Sequence, residues 1–285
     1  QASRLPAAFA HVNPPSPSMA PYYLTQTAAA QHASPTDYAR EFLFNALNIG
    51  EEMLRSGAEI SRVEDSIRRI CKAYGAERVE VFVITTNIVV TVYSPVFGAV
   101  TQTRRIMSTR YDLHRLTRLN SLSRRICQSM PTFEAVEREL DRICSQAPVL
   151  SERAMIPVYA LISLSFTLFF GGTARDAAAS ALIGIFLKCM EYVSRFLELP
   201  PMVAAVFWSF CGGLLANTAV AAGLGDSAGM ISIGNIMLLI PGMQLTNSIR
   251  DIFSGDTLSA LLGFCNAFLL AALIALGFAL LTLIF

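Results

Sequence analysis

The second half of this sequence is a series of apolar runs with few charges, and that feature restricts the chain to folds that sit in a lipid bilayer. A helix that crosses a membrane needs about 20 apolar residues. Residues 230–240 are too few for a full crossing before Pro241 interrupts them, whereas the other runs are long enough. We therefore expect about five transmembrane segments with a short, broken fourth, at 154–171, 177–197, 202–224, 230–240 and 258–285.

Charge is distributed unevenly and separates a charged half from the apolar half. The chain has 285 residues, of which 53% are hydrophobic and 15% charged, and its mean hydropathy of +0.49 is too high for an ordinary soluble domain. Residues 37–153 nevertheless hold 17 of the 22 Lys and Arg and 15 of the 21 Asp and Glu. We predict a soluble domain at 36–150 and a transmembrane domain at 151–285. Residues 1–35, rich in Pro, Ala, Ser and Gln, are predicted to be a disordered leader.

Residue patterns predict that the charged half is an α+β domain. Apolar residues recur at helical spacing over 37–56 and 58–74, and a glycine follows each run. The stretch 78–105 is β-branched and aromatic with two breaks, which predicts three short strands. Two further helices, at 113–130 and 133–147, complete an ααβββαα order. The fold class is therefore an α-helical membrane protein with an N-terminal α+β domain.

The most basic part of that domain is the stretch 104–125, which holds seven arginines and His114 against a single acid, Asp112. One interpretation is a basic collar that meets anionic lipid headgroups or gathers anionic solutes. The other is a solvated helix face without a binding role. The sequence leaves both open.

The stretch 240–256, IPGMQLTNSIRDIFSGD, places polar residues between two very apolar runs. A helix that meets Pro241-Gly242 loses backbone hydrogen bonds, which hydrocarbon tolerates only beside protein or a water-filled cavity. Thr246, Asn247, Arg250 and Asp251 follow at i, i+1, i+4 and i+5, on one helical face. This pattern is typical of a broken helix that lines a polar path. The alternative is that Pro241 ends a short span and the charged residues lie in a solvated loop.

Lys188 and Glu191 interrupt the second apolar run. If that span begins near residue 177, Lys188 lies roughly 16 Å into the bilayer, and an i, i+3 pair facing the bundle interior would reduce the cost of its charge. If the span begins near residue 171, both side chains extend to the interface. Asn217 and Asn235 are candidate polar contacts inside the bundle, although buried Asn more commonly bonds helix to helix.

Charge asymmetry orients the chain. Five segments place the loops after the second and fourth segments on the side of the soluble domain, and Lys188, Arg195 and Arg250 agree with a cytoplasmic location for that side, while Arg175 opposes it. The absence of C-x-x-C spacing and of N-x-S/T sequons is consistent with a reducing compartment.

Several function classes lack support. Residues 225–229 match G-x-S-x-G but lie between apolar helices, and all three histidines are in the first half of the chain. No zinc-protease, Walker A or dinucleotide motif is present, so we predict no catalytic residues, no metal and no cofactor. A net charge of +1 gives no argument for nucleic acid.

Five stretches resemble the threonine/serine exporter family. In the soluble half they are GEEMLRSGAEISRVEDSIRRICKAYGAERVEVFVITTNIVVTV, LTRLNSLSRRI and FEAVERELDRI. In the membrane half they are FGGTARDAAASALIG and LIPGMQLTNSIRDIFSGDTLSALLGFCNAFLLAALIALGFAL. The resemblance covers roughly residues 38–285.

The resemblance implies a secondary exporter, not an enzyme, driven by the proton gradient across the inner membrane. It implies small carboxylate substrates, either threonine and serine or dicarboxylates such as succinate. Some members are split into a large subunit with the soluble domain and a small membrane subunit, and this chain is similar to a large subunit. A small subunit or a homo-oligomer would then complete the path within the lipid bilayer. The rival interpretation is a membrane-anchored regulator or scaffold whose soluble domain binds a cytosolic partner.

Within that exporter we predict two groups of functional residues. Pro241 and Gly242 break the helix at the path. The residues predicted to contact the substrate are Thr246, Asn247 and Arg250, with Asn217 and Asn235 as further polar contacts. The residues predicted to couple the proton are Asp226, Asp251, Asp256 and Glu191, the last with Lys188.

Overall fold

The structure, a computed structural model, describes residues 34–147 and 149–283. The chain divides into two compact units, one ending at Gln146 and the other beginning at Ala147. The predicted leader lies outside the described residues, apart from Ser34 and Pro35. The fold is mostly helical, with one small sheet.

The first unit has the element order that the sequence predicts. Its α1 begins two residues earlier than expected because Ser34 accepts a hydrogen bond from the Asp37 amide and Pro35 occupies the first turn. The elements are α1 (Pro35–Arg55), α2 (Ile60–Ala73), β1 (Arg78–Ile84), β2 (Asn87–Ser94), β3 (Gly98–Arg105), α3 (Leu113–Ser129) and α4 (Phe133–Cys144).

The sheet is antiparallel in the order β1-β2-β3, and one of its faces packs against the helices. Ile88, Val90 and Val92 alternate along β2 with their side chains fully buried. Phe42 and Leu47 of α1 and Ile67 of α2 belong to the same core. The unit therefore buries a hydrophobic core of its own.

The second unit is entirely helical over the residues that the structure describes. Four of its helices are long and apolar enough to cross a membrane, and a bent pair raises the number of candidate spans to five. The helices are α5 (Glu152–Phe169), α6 (Ala174–Phe196), α7 (Pro201–Ala221), α8 (Ala228–Leu239), α9 (Gly242–Ser254) and α10 (Thr257–Ala279), followed by a 3-10 turn at Leu280–Leu283.

Small residues let these helices approach closely. A Cβ added to Gly184 of α6 would lie 2.4 Å from Ser163 Oγ of α5, and one added to Gly234 of α8 would lie 2.0 Å from Thr167 Oγ1 of α5. At the interface of α7 and α10, a Cβ on Gly277 would lie 2.0 Å from Ser209 Oγ. Such contacts replace the hydrophobic driving force that is missing between helices in lipid.

The Asp176 carboxylate forms hydrogen bonds with both the turn before α6 and the turn before α8. Thr173 and Asp176 form a capping box at the start of α6. Asp176 is buried, and its Oδ1 also accepts hydrogen bonds from the backbone amides of Asp226 and Ser227, at 2.7 and 2.9 Å. Residues distant in sequence are thereby held together at this end of the helices.

Candidate functional site

The polar stretch that interrupts the apolar half is a second helix, and the break comes at Pro241. Helices α8 and α9 meet at an angle of 58°. Pro241 has no amide hydrogen to donate, and the Gly242 amide donates to Ile240 O at 2.8 Å instead of continuing the helical pattern. The alternative of a loop with a solvated Asp251 is wrong in those two respects, because residues 242–254 are helical and Asp251 is buried, although Arg250 is exposed as it supposed.

Helix α9 presents three faces with different chemistry. The first packs against α10: Gln244 Nε2 donates to Gly263 O at 3.3 Å, and Ser248 lies where a Gly263 Cβ would come within 2.3 Å of its Oγ. The second is apolar and exposed, with its members at Leu245, Ile249, Ile252 and Phe253. The third is polar and consists of Thr246, Asn247 and Arg250.

The predicted polar residues of α9 divide between these faces. Thr246 and Arg250 are one turn apart and both exposed, while Asn247 is half-buried and Asp251 is turned inward, with 5% of its surface exposed. A cation and an anion thus occupy neighbouring positions on one helix, one on the surface and one inside. We call Thr246, Asn247, Arg250 and Asp251 the polar strip, and this strip is the candidate substrate site.

Asp256 lies in the turn between α9 and α10, close in the chain to that strip. Its backbone amide donates to Asp251 O at 2.9 Å. Its Oδ2 is buried and has no hydrogen-bond partner among the residues that the structure describes. Burial raises the pKa of the Asp256 carboxyl above its usual value.

Asn235 lies in a saturated hydrogen-bond network between α5, α6 and α8. Its Oδ1 accepts from Ser163 Oγ at 3.0 Å, and its Nδ2 donates to Ser180 Oγ at 2.9 Å and to Ile231 O at 2.9 Å. No part of Asn235 is exposed. Asn217 is half-buried and donates to Gly213 O of its own helix at 3.0 Å. These bonds give both side chains a role in packing. The hydrogen-bonding groups of the Asn235 amide are used within the protein.

Lys188 and Glu191 belong to a charged cluster between α5 and α6. Lys188 Nζ lies 3.0 Å from Glu191 Oε2 and 3.0 Å from Glu152 Oε2, and it sits over the Tyr159 ring. Tyr159 donates to Glu191 at 2.7 Å, and Arg195 pairs with both carboxylates. Lys188 is 5% exposed, so its ammonium lies between the two helices and is shielded from the surface by its partners.

Asp226 is exposed and lies away from the polar strip in the chain, in the turn before α8. It accepts a hydrogen bond from Thr173 Oγ1 at 2.6 Å and pairs with Arg175 at 3.7 Å. The next residue, Ser227, is the N-cap of α8. This capping role accounts for the serine of the G-x-S-x-G match without hydrolase chemistry.

The chain matches a known protein family over most of its length. Residues 45–285 match the family described as a threonine/serine exporter. That range is most of the chain and includes every candidate residue. The chain belongs to the threonine/serine exporter family.

Membership of the threonine/serine exporter family makes this a multi-pass membrane protein and points to a transporter, not an enzyme. One relative, from Mycobacterium tuberculosis (strain ATCC 25618 / H37Rv), carries the name "Probable threonine/serine exporter" and is 23% identical over 241 residues. The alignment covers 84% of this chain and 45% of the relative, so the chain spans less than half of that protein's length. No solved structure matches the chain.

Sequence reasoning missed several residues that organise the membrane unit of this exporter-family chain. Asp176 had a detectable signal, because Thr173 and Asp176 have the spacing of a capping box before an apolar run. Glu152 and Tyr159 had none, since their partners on α6 are more than 25 residues away in the chain. Their contacts become visible only once α5 and α6 pack side by side.

Proposed function

We propose that this chain is a subunit of a secondary exporter that uses the proton gradient to move small carboxylate metabolites across the inner membrane. Membership of an exporter family and four to five candidate spans support transport. The proposal includes a cytoplasmic location for residues 36–150, with which Arg195 at the end of α6 agrees and which Arg175 at the start of α6 opposes. The proposed substrates are threonine and serine, named for the mycobacterial relative, or dicarboxylates such as succinate.

The observation that carries the proposal is the break at Pro241 with an exposed Arg250 on the helix that follows. A broken helix exposes backbone polar groups at membrane depth, which is sustainable only beside protein or water. Arg250 then offers a fork of donors that matches a carboxylate, and Thr246 offers a hydroxyl one turn earlier. In this proposal Asn247 lies beside the bound carboxylate, and Asp251 counters the Arg250 charge from inside the helix pair.

Asp256 is the carboxylate that the structure favours for proton coupling. A buried oxygen without a partner makes the ionised form costly, so the group takes up a proton more readily than an exposed aspartate. Glu191, by contrast, is held between two cations, and Asp226 is exposed and paired. Asp251 lies between these cases, with 5% of its surface exposed.

Asp256→Asn is expected to uncouple transport from the gradient. The amide imitates a permanently protonated carboxyl, so substrate exchange between equal pools should continue while export driven by an imposed pH difference falls to the level without a gradient. Both rates are measured in proteoliposomes with labelled substrate. Asp226→Asn is the matched control and should retain gradient-driven export. Unchanged gradient dependence in Asp256→Asn would remove this residue from the coupling role.

A second polypeptide or a second copy is part of the proposal. Arg250 and Thr246 are exposed in a segment at membrane depth, where lipid is a poor neighbour for a guanidinium. A small membrane subunit of the same family would cover this strip, with a homo-oligomer as the other arrangement. The extent of the mycobacterial relative, more than twice the aligned part, fits a path built from more membrane segments than this chain contributes.

Reconstitution tests the function directly. Purified chain, alone and with a co-expressed small-subunit candidate, is placed in proteoliposomes and assayed with labelled threonine, serine and succinate under an imposed pH gradient. We expect gradient-dependent flux that requires the partner and favours one substrate class. Absence of flux from correctly inserted protein in both preparations would instead favour a membrane-anchored regulator, which should keep its function when the spans are replaced by an unrelated anchor.

A further inference from the structure

The soluble unit carries an exposed segment at residues 105–114 whose chemistry differs from the rest of its surface. It joins β3 to α3, and within it only Ile106 and Asp112 are not exposed. Three of its exposed side chains are large and apolar, namely Met107, Tyr111 and Leu113, with 81%, 41% and 57% of their surface exposed. Arg105, Arg110 and His114 are exposed beside them. We call these six residues the basic-apolar patch.

Backbone hydrogen bonds hold the patch in a defined shape. The Ile106 amide donates to Thr86 O at 2.8 Å, and the Arg110 amide donates to Arg55 O at 2.7 Å. The Asp112 amide donates to Ser56 O at 3.1 Å. Gly57, which has a φ of +90°, leaves room for the Tyr111 ring, because a Cβ there would lie 2.3 Å from it. The segment is therefore held in place by the rest of the unit, with Met107 and Leu113 the more exposed of its apolar side chains and the Tyr111 ring partly covered by Gly57.

The two interpretations of the basic stretch apply to different arginines. Arg104 and Arg115 interact within the unit itself: Arg104 donates a hydrogen bond to Asn48 and forms an ion pair with Glu51, and Arg115 forms an ion pair with Glu52. Within residues 34–147, Arg105 and Arg110 form no ion pair with a carboxylate. Arg118 and Arg124 of α3 also form no ion pair in that range, but among these unpaired arginines only Arg105 and Arg110 lie in the segment that exposes Met107, Tyr111 and Leu113.

Cations interleaved with apolar side chains match the interface of a bilayer that contains anionic lipid. Arginines are attracted to the headgroup charge, and methionine, leucine and tyrosine enter the boundary between headgroups and acyl chains. The connection between α4 and α5 is short, which keeps the soluble unit near the bilayer that holds the membrane unit. Only residues 145–151 separate α4 from α5, and seven residues extend no further than about 25 Å.

We propose that the basic-apolar patch is a docking surface for the anionic lipid leaflet of the membrane that holds the same chain. This interaction is separate from the substrate path and restricts the motion of the soluble unit relative to the bilayer. A cytosolic protein and a second copy of the chain are the competing occupants. The absence of acids from the exposed positions of the patch favours lipid headgroups over either of them.

Hydrogen exchange on the full chain in nanodiscs tests the assignment. The measured quantity is the exchange rate of backbone amides in residues 107–111, compared between discs with anionic lipid and discs with zwitterionic lipid only. We expect slower exchange in the anionic discs, with high salt removing most of the difference. Each arginine near an anionic surface changes its occupancy by roughly fivefold, so the Arg105→Gln/Arg110→Gln double variant should abolish the lipid dependence.

Two matched variants control for nonspecific effects. Arg138→Gln removes an exposed arginine from α4, and Phe82→Ser removes an exposed apolar side chain from β1; both should leave the lipid dependence intact. Met107→Ser should reduce the protection of residues 107–111 in anionic discs at low salt, because the apolar contribution to binding is lost while both arginines remain. Exchange in β2 reports whether each variant is still folded.

Two results would overturn the proposal. Fast exchange of residues 107–111 in both kinds of disc would show that the patch stays in water. Equal protection in both kinds would show that protein covers it, from a second copy or from elsewhere in the chain, independent of lipid charge. Because neither readout involves substrate, the result is independent of whether the chain exports anything.

Discussion

Arg250→Gln is expected to abolish substrate flux while the protein still inserts and assembles. Arg250 is exposed on α9 beyond the Pro241 break, so its loss creates no cavity in the helix packing. Glutamine keeps a polar side chain but loses both the positive charge and the forked donor geometry that a carboxylate requires. Losing two charge-assisted hydrogen bonds should lower the export rate by roughly 100-fold or more.

The measurement is export from proteoliposomes at matched protein density, with insertion checked by size-exclusion chromatography. Arg175→Gln is the control, because Arg175 is also an exposed arginine of the membrane unit but pairs with Asp226 in the turn before α8. Arg250→Lys should recover only part of the rate, since an ammonium cannot bind a carboxylate through two parallel bonds. An Arg250→Gln protein that exports at the normal rate would exclude this residue from the substrate site.

Much of the fold could be predicted because its determinants are local. The length of each apolar run bounds the spans, and Pro241 followed by Gly242 removes a helical hydrogen bond and favours a break at that point. The alternation along β2 and the glycines after α1 and α2 likewise act within a few residues. These features gave boundaries that the structure alters by only a few residues, such as the start of α8 at Ala228 instead of residue 230.

The side-chain partners could not be predicted because they depend on which helices pack together. Asn235 looked like a polar contact for substrate, yet the structure saturates it with Ser163 and Ser180 on two other helices. The orientation of the polar residues on α9 likewise depends on how the helices pack. Spacing predicted Thr246, Asn247, Arg250 and Asp251 on one helical face, whereas the structure turns Asp251 inward and leaves Thr246 and Arg250 exposed.

The position of Lys188 was undecided from sequence because it depended on where α6 begins. The helix begins at Ala174, between the two starts considered, so depth alone could not distinguish the alternatives. The structure shows its partners instead: Glu152, which begins α5, lies 3.0 Å from the Lys188 ammonium. Both depths for Lys188 remain predictions, because a partner at the first residue of α5 fits either of them.

Lys188→Met should destabilise the membrane unit more than any other single change in its charged cluster. Lys188 is buried, and its removal leaves Glu152 and Glu191 with Arg195 as their only cation in the cluster. The two carboxylates left behind are partly exposed and keep Arg195, so the cost should fall between the value of about 0–1 kcal/mol for a surface pair and about 3–5 kcal/mol for a fully buried one. We expect a large fall in the temperature at which protein in nanodiscs loses its monodisperse elution peak.

Restoring charge balance distinguishes this effect from simple loss of packing. In Lys188→Met/Glu191→Gln, one cation and one anion are removed together, and the amide oxygen introduced at position 191 can still accept from Tyr159. The double variant should therefore be more stable than Lys188→Met alone, a coupling that a packing defect would not produce. Arg195→Met, which removes a half-exposed cation from the same carboxylates, should cost only about 1 kcal/mol. Equal losses of stability in Lys188→Met and Arg195→Met would show that the buried Lys188 ammonium stabilises the packing of α5 against α6 no more than Arg195 does.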